Sequence, residues 1–590
     1  MKKIFFLALT LIILGCQAPT KNAKLSFNQI LENYYQDNLK LYRLPATYQG
    51  DARYNDTLPN YLSAAFKKQE KAFYTSYLDQ INAFTEDQLS EEQQLSKKIL
   101  AWECKMKLKG IEFPKDQMPI DQMWGFQLSF GQLASGASAQ PFKTVNDYKN
   151  WLVRVEGYLA WMNSAKVKMQ EGIQSGWTLP KSLIVKVLPQ LESMTTSDLD
   201  QHLFFGPIKN FPESFTDDER KQLTEEYSQM VLNQIVPAYK ELHEFMATEY
   251  LDAARTSSGF NALANGKEYY DHAIKYYTTT DLAADEIHEL GLSEVMRIGS
   301  EMNKIKEQLG FKGDLKAFFE HVRNRKSLMP FNDPQEVIDN FYAIRDKMMP
   351  QVNRLFELQP KTPFEVRRTE TFREASASAE YNPGSLEVGR AGIFYVPIPD
   401  VSKYNLYSDE DLFLHEAIPG HHFQISLQQE NKALPSFRKN LWYSAYGEGW
   451  ALYTESLGKE LGLYEDPYQY FGMLGAEMHR AIRLVVDTGL HAKGWSREQA
   501  IQYSLDNEAE SKASITSEIE RYMANPGQAL SYKIGQLKIK SLRKQAEEAL
   551  GERFDIRVFH RKVLESGCIP LQYLEEKIDA WIQTTLKSNS

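Results

Sequence analysis

The sequence predicts a mainly α-helical fold, a large multi-helix body of two lobes with one small β-sheet. The chain has 590 residues, 43% hydrophobic and 25% charged, which is an ordinary globular composition but too long for a single simple core. Apolar residues recur at three-to-four spacing, the period of an amphipathic helix. This pattern is clearest in six segments, 27–41, 91–108, 145–174, 217–250, 281–309 and 334–356.

The predicted sheet lies in segment 364–397, where β-branched and aromatic residues cluster around the turn sequence Asn382-Pro383-Gly384. Such clusters bounded by turn residues are typical of short strands. The sheet comes just before the most distinctive motif of the chain. We expect residues 392–395 to form an edge strand that can hold an extended peptide by backbone hydrogen bonds.

The N-terminal residues predict export and lipid anchoring. Lys2 and Lys3 precede an apolar run over 4–14, too short to cross a membrane comfortably and typical of a signal peptide. The run ends in Ile-Leu-Gly-Cys, which resembles the site where bacterial lipoproteins are cleaved and acylated. The predicted organisation is a signal peptide over 1–15, acylated Cys16 with a tether over 16–24, and a helical domain over 25–590. Gln17 after the cysteine favours an outer membrane location facing the periplasm.

Charge and cysteine content narrow the function classes. The net charge is −10, and no stripe of lysine and arginine stands out, so nucleic acid is not an expected partner. Besides Cys16, the chain contains only Cys104 and Cys568. Both lie in helix-like sequence without a histidine-bearing motif, and we expect buried free thiols. Nothing in the sequence indicates an oligomeric state.

The sequence HEAIPGHH at 415–422 is the strongest functional signal. Three of the eleven histidines of the chain fall within it. It is a lengthened form of H-E-x-x-H, in which two histidines one helical turn apart bind zinc and the adjacent glutamate is the general base. Glu416 is therefore the predicted general base.

The spacing of these histidines requires a break in the helix. Six residues of α-helix span about 9 Å and rotate by roughly 120°, so His415 and His421 would not share a metal on a straight helix. Pro419 and Gly420 lie between them, and both residues favour a kink. We therefore predict His415 and His421 as ligands, with His422 as the alternative.

A tetrahedral catalytic zinc needs a third protein ligand and keeps one position for water. Glu448 lies between two glycines at the start of an apolar, helix-like run, where a helix N-terminus favours a carboxylate and small neighbours permit close approach. It is the predicted third ligand of one zinc ion, and Glu455 is the alternative.

Further side chains are candidates for supporting roles. A tyrosine, Tyr532 or Tyr522, is the candidate donor to the developing oxyanion, although the chain has 32 tyrosines. Arg390 and Arg521 are candidates for binding a substrate carboxylate through a bidentate fork, and Tyr522 is a further candidate for substrate binding. Asp487 and His491 lie four apart on one helix face, where Asp487 could orient a metal-binding imidazole.

These motifs resemble the bacterial domain of unknown function 885, over nearly the whole mature chain. The resemblance rests on HEAIPGHH at 415–422, GEGWALYTE at 447–455, RLVVDTGLH at 483–491, GWSREQA at 494–500 and EIERYMANPGQALSYKIGQ at 518–536. That family is in turn similar to helical zinc peptidases of the thimet oligopeptidase and carboxypeptidase Taq kind. The similarity implies a zincin-like body with a central cleft and short, unstructured peptides as substrates.

The expected function is zinc-dependent hydrolysis of short peptides. Zinc is inferred from the type of ligand. The expected partners are the peptide substrate and the membrane, which the protein contacts through its lipid anchor. Two alternatives stay open. One is a catalytically silent, peptide-binding lipoprotein, against which the intact His-Glu pair argues. The other is a zinc hydrolase of a non-peptide bond, which substrate profiling would distinguish.

Overall fold

The computed structural model describes residues 25–371, 374, 377–386 and 389–587. The predicted signal peptide, Cys16 and the tether lie outside the described residues. The described chain begins with a helix whose first turn is closed by a capping box. The Ser26 hydroxyl accepts from the backbone N–H of Gln29, and the Gln29 side chain accepts from the backbone N–H of Ser26. This motif satisfies backbone donors that the helix itself leaves unpaired.

The described residues are 69% helical, which confirms the predicted fold class. The first half contains α1 Phe27–Tyr42, α2 Leu44–Tyr48, α3 Ala64–Asn82, α4 Glu91–Gly110, α5 Phe126–Ala134, α6 Val145–Ser175, α7 Lys181–Ser193, α8 Asp217–Met230, α9 Val236–Phe245, α10 Leu251–Ala253, α11 Gly266–Thr278 and α12 Ala284–Gln308. The second half contains α13 Leu315–Asn324, α14 Pro334–Leu355, α15 Asp409–Glu416, α16 His421–Glu430, α17 Ser436–Lys439, α18 Ser444–Glu455, α19 Pro467–His491, α20 Arg497–Asn507, α21 Lys512–Ala524, α22 Ser531–Leu550, α23 Ile556–Leu564 and α24 Leu571–Lys587.

Each of the six segments with helical periodicity is helical in the structure. The segment 217–250 differs in detail, because it alternates between α-helix and π-helical turns at Val231–Ile235 and Met246–Tyr250. Buried apolar side chains form one contiguous cluster that extends from Phe27 to Ile582. This arrangement is the large multi-helix body of the prediction, whereas its division into two lobes around a cleft stays a prediction.

Two close helix pairs hold the second half together. Helix α19 packs along α12, and α18 packs along α22. The second pair approaches through glycines, because a Cβ on Gly449 would lie 2.4 Å from the Cα of Gly535. Any side chain at this contact would force the two helices apart. None of the helices in the described part of the chain is long and apolar enough to cross a membrane.

The predicted sheet has three strands, β1 Phe364–Arg368, β2 Glu380–Asn382 and β3 Gly392–Val396. Their order is β1-β3-β2, with β1 parallel and β2 antiparallel to β3. The prediction of an edge strand at 392–395 is therefore wrong. These residues form the central strand, whose backbone groups pair on both sides, and the outer strands among the described residues are β1 and β2. Sequence alternation reveals a strand but not its neighbours.

The two cysteines of the described chain are free and buried, as predicted. Burial raises the pKa of both thiols to about 12. They are consequently protonated at neutral pH, and a thiolate nucleophile is not available at either position.

Candidate metal centre

The candidate centre is built where the helical path breaks after Glu416. Helix α15 ends at Glu416 and α16 begins at His421, so residues 417–420 form a connection rather than a turn of helix. Gly420 makes this path sterically feasible, because a Cβ there would lie 1.9 Å from the carbonyl oxygen of His415. The predicted kink is thus confirmed, and it brings the His415 and His421 rings to a centroid distance of 4.8 Å at 90°.

Helix α18 carries the third candidate ligand and forms a hydrogen bond to the 417–420 connection. Its Glu448 Oε2 lies 3.6 Å from His415 Nε2 and 3.4 Å from His421 Nε2. One ligand atom from each of these three residues lies within 4.8 Å of the others. On the same helix, the indole N–H of Trp450 donates to the Pro419 carbonyl at 2.8 Å. The structure therefore brings together the three predicted ligands, His415, His421 and Glu448, which we call the triad.

Glu455, the alternative ligand, lies behind His415 instead. The Nδ1–H of His415 donates to Glu455 Oε1 at 2.7 Å, and both residues are buried. This bond directs the other ring nitrogen, Nε2, toward Glu448, which is the arrangement in which a carboxylate orients a metal-binding imidazole. Glu448 and Glu455 are seven residues apart on one helix, a spacing that places both on the same face.

His422, the alternative to His421, points away from the triad. Its Nδ1 lies 3.0 Å from the hydroxyl of Tyr381 on β2, and its ring packs against Phe364 on β1. Burial lowers its pKa to about 4. His421, by contrast, keeps a buried Nδ1 without a hydrogen-bond partner among the described residues. Two successive residues of a helix face different directions, so the group of His415, His421 and Glu448 does not include His422, and His422 as the alternative ligand stays a prediction.

The electrostatics of the triad favour a cation. Burial raises the pKa of Glu448, but the imidazoles of His421 and His415 outweigh burial and hold it well below its usual range. Burial lowers the pKa of His415, but hydrogen bonds to Glu448 and Glu455 outweigh it and raise the pKa to about 10. The carboxylates thus stabilise positive charge at the imidazoles. A divalent cation supplies that charge with both imidazoles neutral, and nitrogen and oxygen donors of this kind suit zinc.

Glu416 is the residue next to His415 and is buried at the end of α15. Burial raises the pKa of its carboxyl group, and the charge of Glu448 raises it further, while His415 and His421 oppose the rise. Its electrostatic partners are thus the three residues of the triad and Arg480. A buried carboxyl group with a raised pKa can accept and donate a proton beside the candidate centre.

Tyr532, in the first turn of α22, also lies near the triad. Burial raises the pKa of its hydroxyl, and the charge of Glu448 contributes to the rise. The guanidinium of Arg483 on α19 stands 4.5 Å from the centroid of its ring. Sequence reasoning did not select Arg483. Arg483 lies within RLVVDTGLH, four residues before Asp487, and this motif is the sequence signal that could have identified it.

Arg521 and Tyr522 belong to an ion-pair network around Glu518. The Tyr522 hydroxyl donates to Glu518 Oε2 at 2.7 Å, and the guanidinium groups of Arg521 and Arg483 each lie 3.1 Å from the same oxygen. Arg390 is exposed, and its guanidinium donates to the Pro383 carbonyl at 3.4 Å. Substrate binding by Arg390, Arg521 or Tyr522 stays a prediction.

Asp487 and His491 do not contact the triad. The carboxylate of Asp487 accepts from the Tyr270 hydroxyl at 2.6 Å and from the Gly527 backbone N–H at 3.1 Å. His491 lies between the backbone N–H of Phe260 and the carbonyl of Tyr522. The predicted orienting role of Asp487 is therefore wrong, because its hydrogen bonds connect α19 to the Tyr270 side chain of α11 and to the Gly527 backbone. Glu455 is the carboxylate that contacts His415.

A protein-family model described as "Bacterial protein of unknown function (DUF885)" matches residues 44–578. The chain belongs to the DUF885 family. HEAIPGHH, Glu448 and Tyr532 all fall within the matched region, so the candidate centre of this DUF885 protein is part of the family domain.

Two solved structures resemble this DUF885 protein over nearly their whole length, and both are described as putative lipoproteins. The Colwellia psychrerythraea protein is 28% identical with a TM-score of 0.86, covering 95% of this chain and 99% of that one. The Shewanella oneidensis protein, described as of unknown function, is 20% identical with a TM-score of 0.75, covering 94% and 99%. The second likeness concerns the fold alone. No curated protein matches the chain.

Proposed function

We propose that this protein is a zinc-dependent metallopeptidase that hydrolyses short peptides. The observation that carries the proposal is the convergence of His415 Nε2, His421 Nε2 and Glu448 Oε2, with the buried carboxyl group of Glu416 beside them. Two imidazoles and one carboxylate are a common ligand set of catalytic zinc in peptidases. Bound there, zinc would supply Lewis acidity toward a water molecule and the scissile carbonyl.

The protein side chains perform the proton transfers in this proposal. Glu416 accepts a proton from the attacking water and delivers it to the nitrogen of the leaving amine as the peptide C–N bond breaks. Tyr532 donates a hydrogen bond to the oxygen on which negative charge develops. Its raised pKa keeps the hydroxyl protonated at neutral pH, as a donor must be.

We also propose that the protein is anchored by lipid at Cys16 in the outer membrane, facing the periplasm. The proposal is supported by the N-terminal sequence and by the lipoprotein description of the Colwellia psychrerythraea relative. In that location the substrates are peptides of the cell envelope or peptides that enter through it.

The decisive experiment compares metal content and peptide cleavage in the full-length protein and two variants. We expect wild type to carry about one zinc and to cleave members of a mixed short-peptide library. Glu416→Gln should keep the metal and lose cleavage by at least about 100-fold, whereas His415→Ala should lose both. Glu465→Gln, whose side chain is 77% exposed, is the matched control and should behave as wild type.

The other outcomes discriminate between the alternatives. Metal binding with no cleavage of any peptide would favour a peptide-binding lipoprotein or a hydrolase of a non-peptide bond, and a panel of ester and amide substrates would separate these two. Absence of zinc from wild type, even after incubation with the metal, would refute the proposed mechanism.

A further inference from the structure

An exposed tryptophan lies directly against the triad. Trp442, in the connection between α17 and α18, leaves 43% of its surface exposed, and its ring centroid is 5.8 Å from that of His421. Single exposed apolar side chains are common on protein surfaces. Trp442 differs because its ring contacts a proposed metal ligand.

The position of the indole is determined by a glycine in α18. A Cβ on Gly447 would lie 2.2 Å from Cη2 of Trp442 and 2.4 to 2.6 Å from two further ring atoms. The six-membered ring therefore rests on bare backbone immediately before Glu448. The indole thus touches one triad residue and the chain neighbour of another, which gives it a defined place beside the centre.

The backbone below the ring restrains it. The next residue, Tyr443, is buried, and its backbone N–H lies 3.1 Å from the sulfur of Cys568. Tyr443 also packs edge-on against Trp102 at a centroid distance of 5.2 Å. A residue held in this way presents a preformed surface, so a ligand does not have to order it on binding.

A flat apolar surface beside a polar centre is the usual composition of a specific ligand site. The exposed part of the indole gains most when it is buried against another apolar group, and aromatic pairs gain additional stabilisation from their geometry. A carboxylate would gain nothing from the ring, because the face of an aromatic ring carries negative partial charge. A cationic side chain is the competing ligand, since it can also bind an aromatic face.

We propose that Trp442 forms the wall of a subsite that takes an apolar or aromatic side chain next to the scissile bond of the substrate. This inference rests on the proposed function and specifies its substrate class. It assigns to Trp442 a role in specificity, whereas the triad and Glu416 carry the chemistry.

The test measures equilibrium peptide binding by calorimetry to the full-length, zinc-loaded Glu416→Gln variant, in which the peptide is not consumed. The probes are tetra-alanine and the same peptide with one phenylalanine, leucine, lysine or glutamate at each position in turn. We expect phenylalanine or leucine at one position to tighten binding on the order of 10-fold over tetra-alanine. Adding Trp442→Ala should abolish that preference, and Trp442→Phe should retain much of it.

Two controls separate specificity from folding. Zinc content should be the same in all variants, and circular dichroism should show all of them to be folded. Trp124→Ala removes another exposed indole, 58% exposed, that makes no ring contact with the triad in the described part of the chain. This variant should keep the full preference.

Several results would overturn the inference. The apolar preference could survive Trp442→Ala, be absent from the parent protein, or be exceeded by the preference for lysine or glutamate. Cleavage of the same peptides by the protein with Glu416 intact reports separately on the proposed function. Selective binding of apolar peptides without cleavage would refute the proposed peptidase but support the Trp442 subsite. Cleavage without a preference for apolar side chains would support the peptidase and refute the subsite.

Discussion

His421 and His422 are neighbours in the chain, yet their imidazoles contact different partners. His421 Nε2 lies 3.4 Å from Glu448 Oε2, whereas His422 Nδ1 lies 3.0 Å from the Tyr381 hydroxyl of the sheet. The first imidazole belongs to the candidate metal centre, and the second joins α16 to β2. The pair therefore provides a matched test of the ligand assignment.

The first prediction concerns this pair. We expect His421→Ala to lower zinc affinity by at least about 100-fold, because it removes one of three protein ligands. His422→Ala should bind zinc within a few-fold of wild type, since its ring has another partner. Competition with a chromophoric chelator measures both affinities. Loss of zinc from both variants would contradict the assignment, provided that circular dichroism shows both to be folded.

The second prediction concerns the carboxylate behind His415. We expect Glu455→Ala to weaken zinc binding by about 10- to 100-fold, as is typical when the partner of a metal-binding histidine is removed. Glu455→Gln should have a smaller effect, because its amide oxygen can still accept from the Nδ1–H. Chelator titrations of the two variants provide the comparison. Equal affinities in wild type and Glu455→Ala would show that the 2.7 Å contact does not orient the ligand.

The third prediction concerns the connection between α15 and α16. In Gly420→Ala the new Cβ meets the His415 carbonyl at 1.9 Å, so we expect the variant to lose zinc and at least about 2 kcal/mol of stability. Gly475→Ala is the control, because no atom lies within 4 Å of its Cβ position in α19. That variant should be neutral or up to about 1 kcal/mol more stable. Chemical denaturation and zinc content distinguish the two, and a neutral Gly420→Ala would contradict the geometry.

The fourth prediction is a pH dependence of stability at Asp487. Burial raises its pKa to about 7 despite hydrogen bonds from Tyr270 and Gly527, compared with about 3.9 in an unfolded chain. The folded state thus binds the proton more tightly than the unfolded state does. The resulting contribution to the free energy of unfolding is fully present below about pH 4 and is lost as the pH rises through about 7.

Asp487→Asn has no proton to lose in this range. Relative to wild type, its free energy of unfolding should therefore increase on the order of 2–4 kcal/mol between pH 4 and pH 8. Urea denaturation at several pH values measures the difference, and any constant effect of the substitution cancels. Asp252→Asn changes an exposed position of α10. Its free energy of unfolding should depend on pH in the same way as that of wild type. A parallel curve for Asp487→Asn would contradict the prediction.

The fifth prediction uses the thiols to test the anchor. Cys104 and Cys568 are buried and have a pKa of about 12, so a thiol reagent should react with neither in the folded protein. After denaturation, mature protein should titrate as two thiols when Cys16 is acylated and as three when it is not. Intact mass would identify the lipid. Rapid reaction of the folded protein at Cys104 or Cys568 would contradict their burial.

Much of the fold and of the centre can be predicted from the sequence, because these features are local. Helical periodicity in 334–356 identifies α14, and strand-forming residues in 364–397 identify the sheet. The pairing of histidine with glutamate indicates metal chemistry. Pro419 and Gly420 indicate a kink, since both act on the backbone at their own positions.

The sequence by itself determined the helical class, the break after Glu416 and the residue types of the centre, since these depend on neighbours along the chain. Three features come from long-range packing instead: His421 rather than His422 faces Glu448, Glu455 rather than Asp487 contacts His415, and β3 is the central strand. These outcomes depend on how α18, the sheet and α16 pack, and contacts between residues distant in sequence leave no periodic signal.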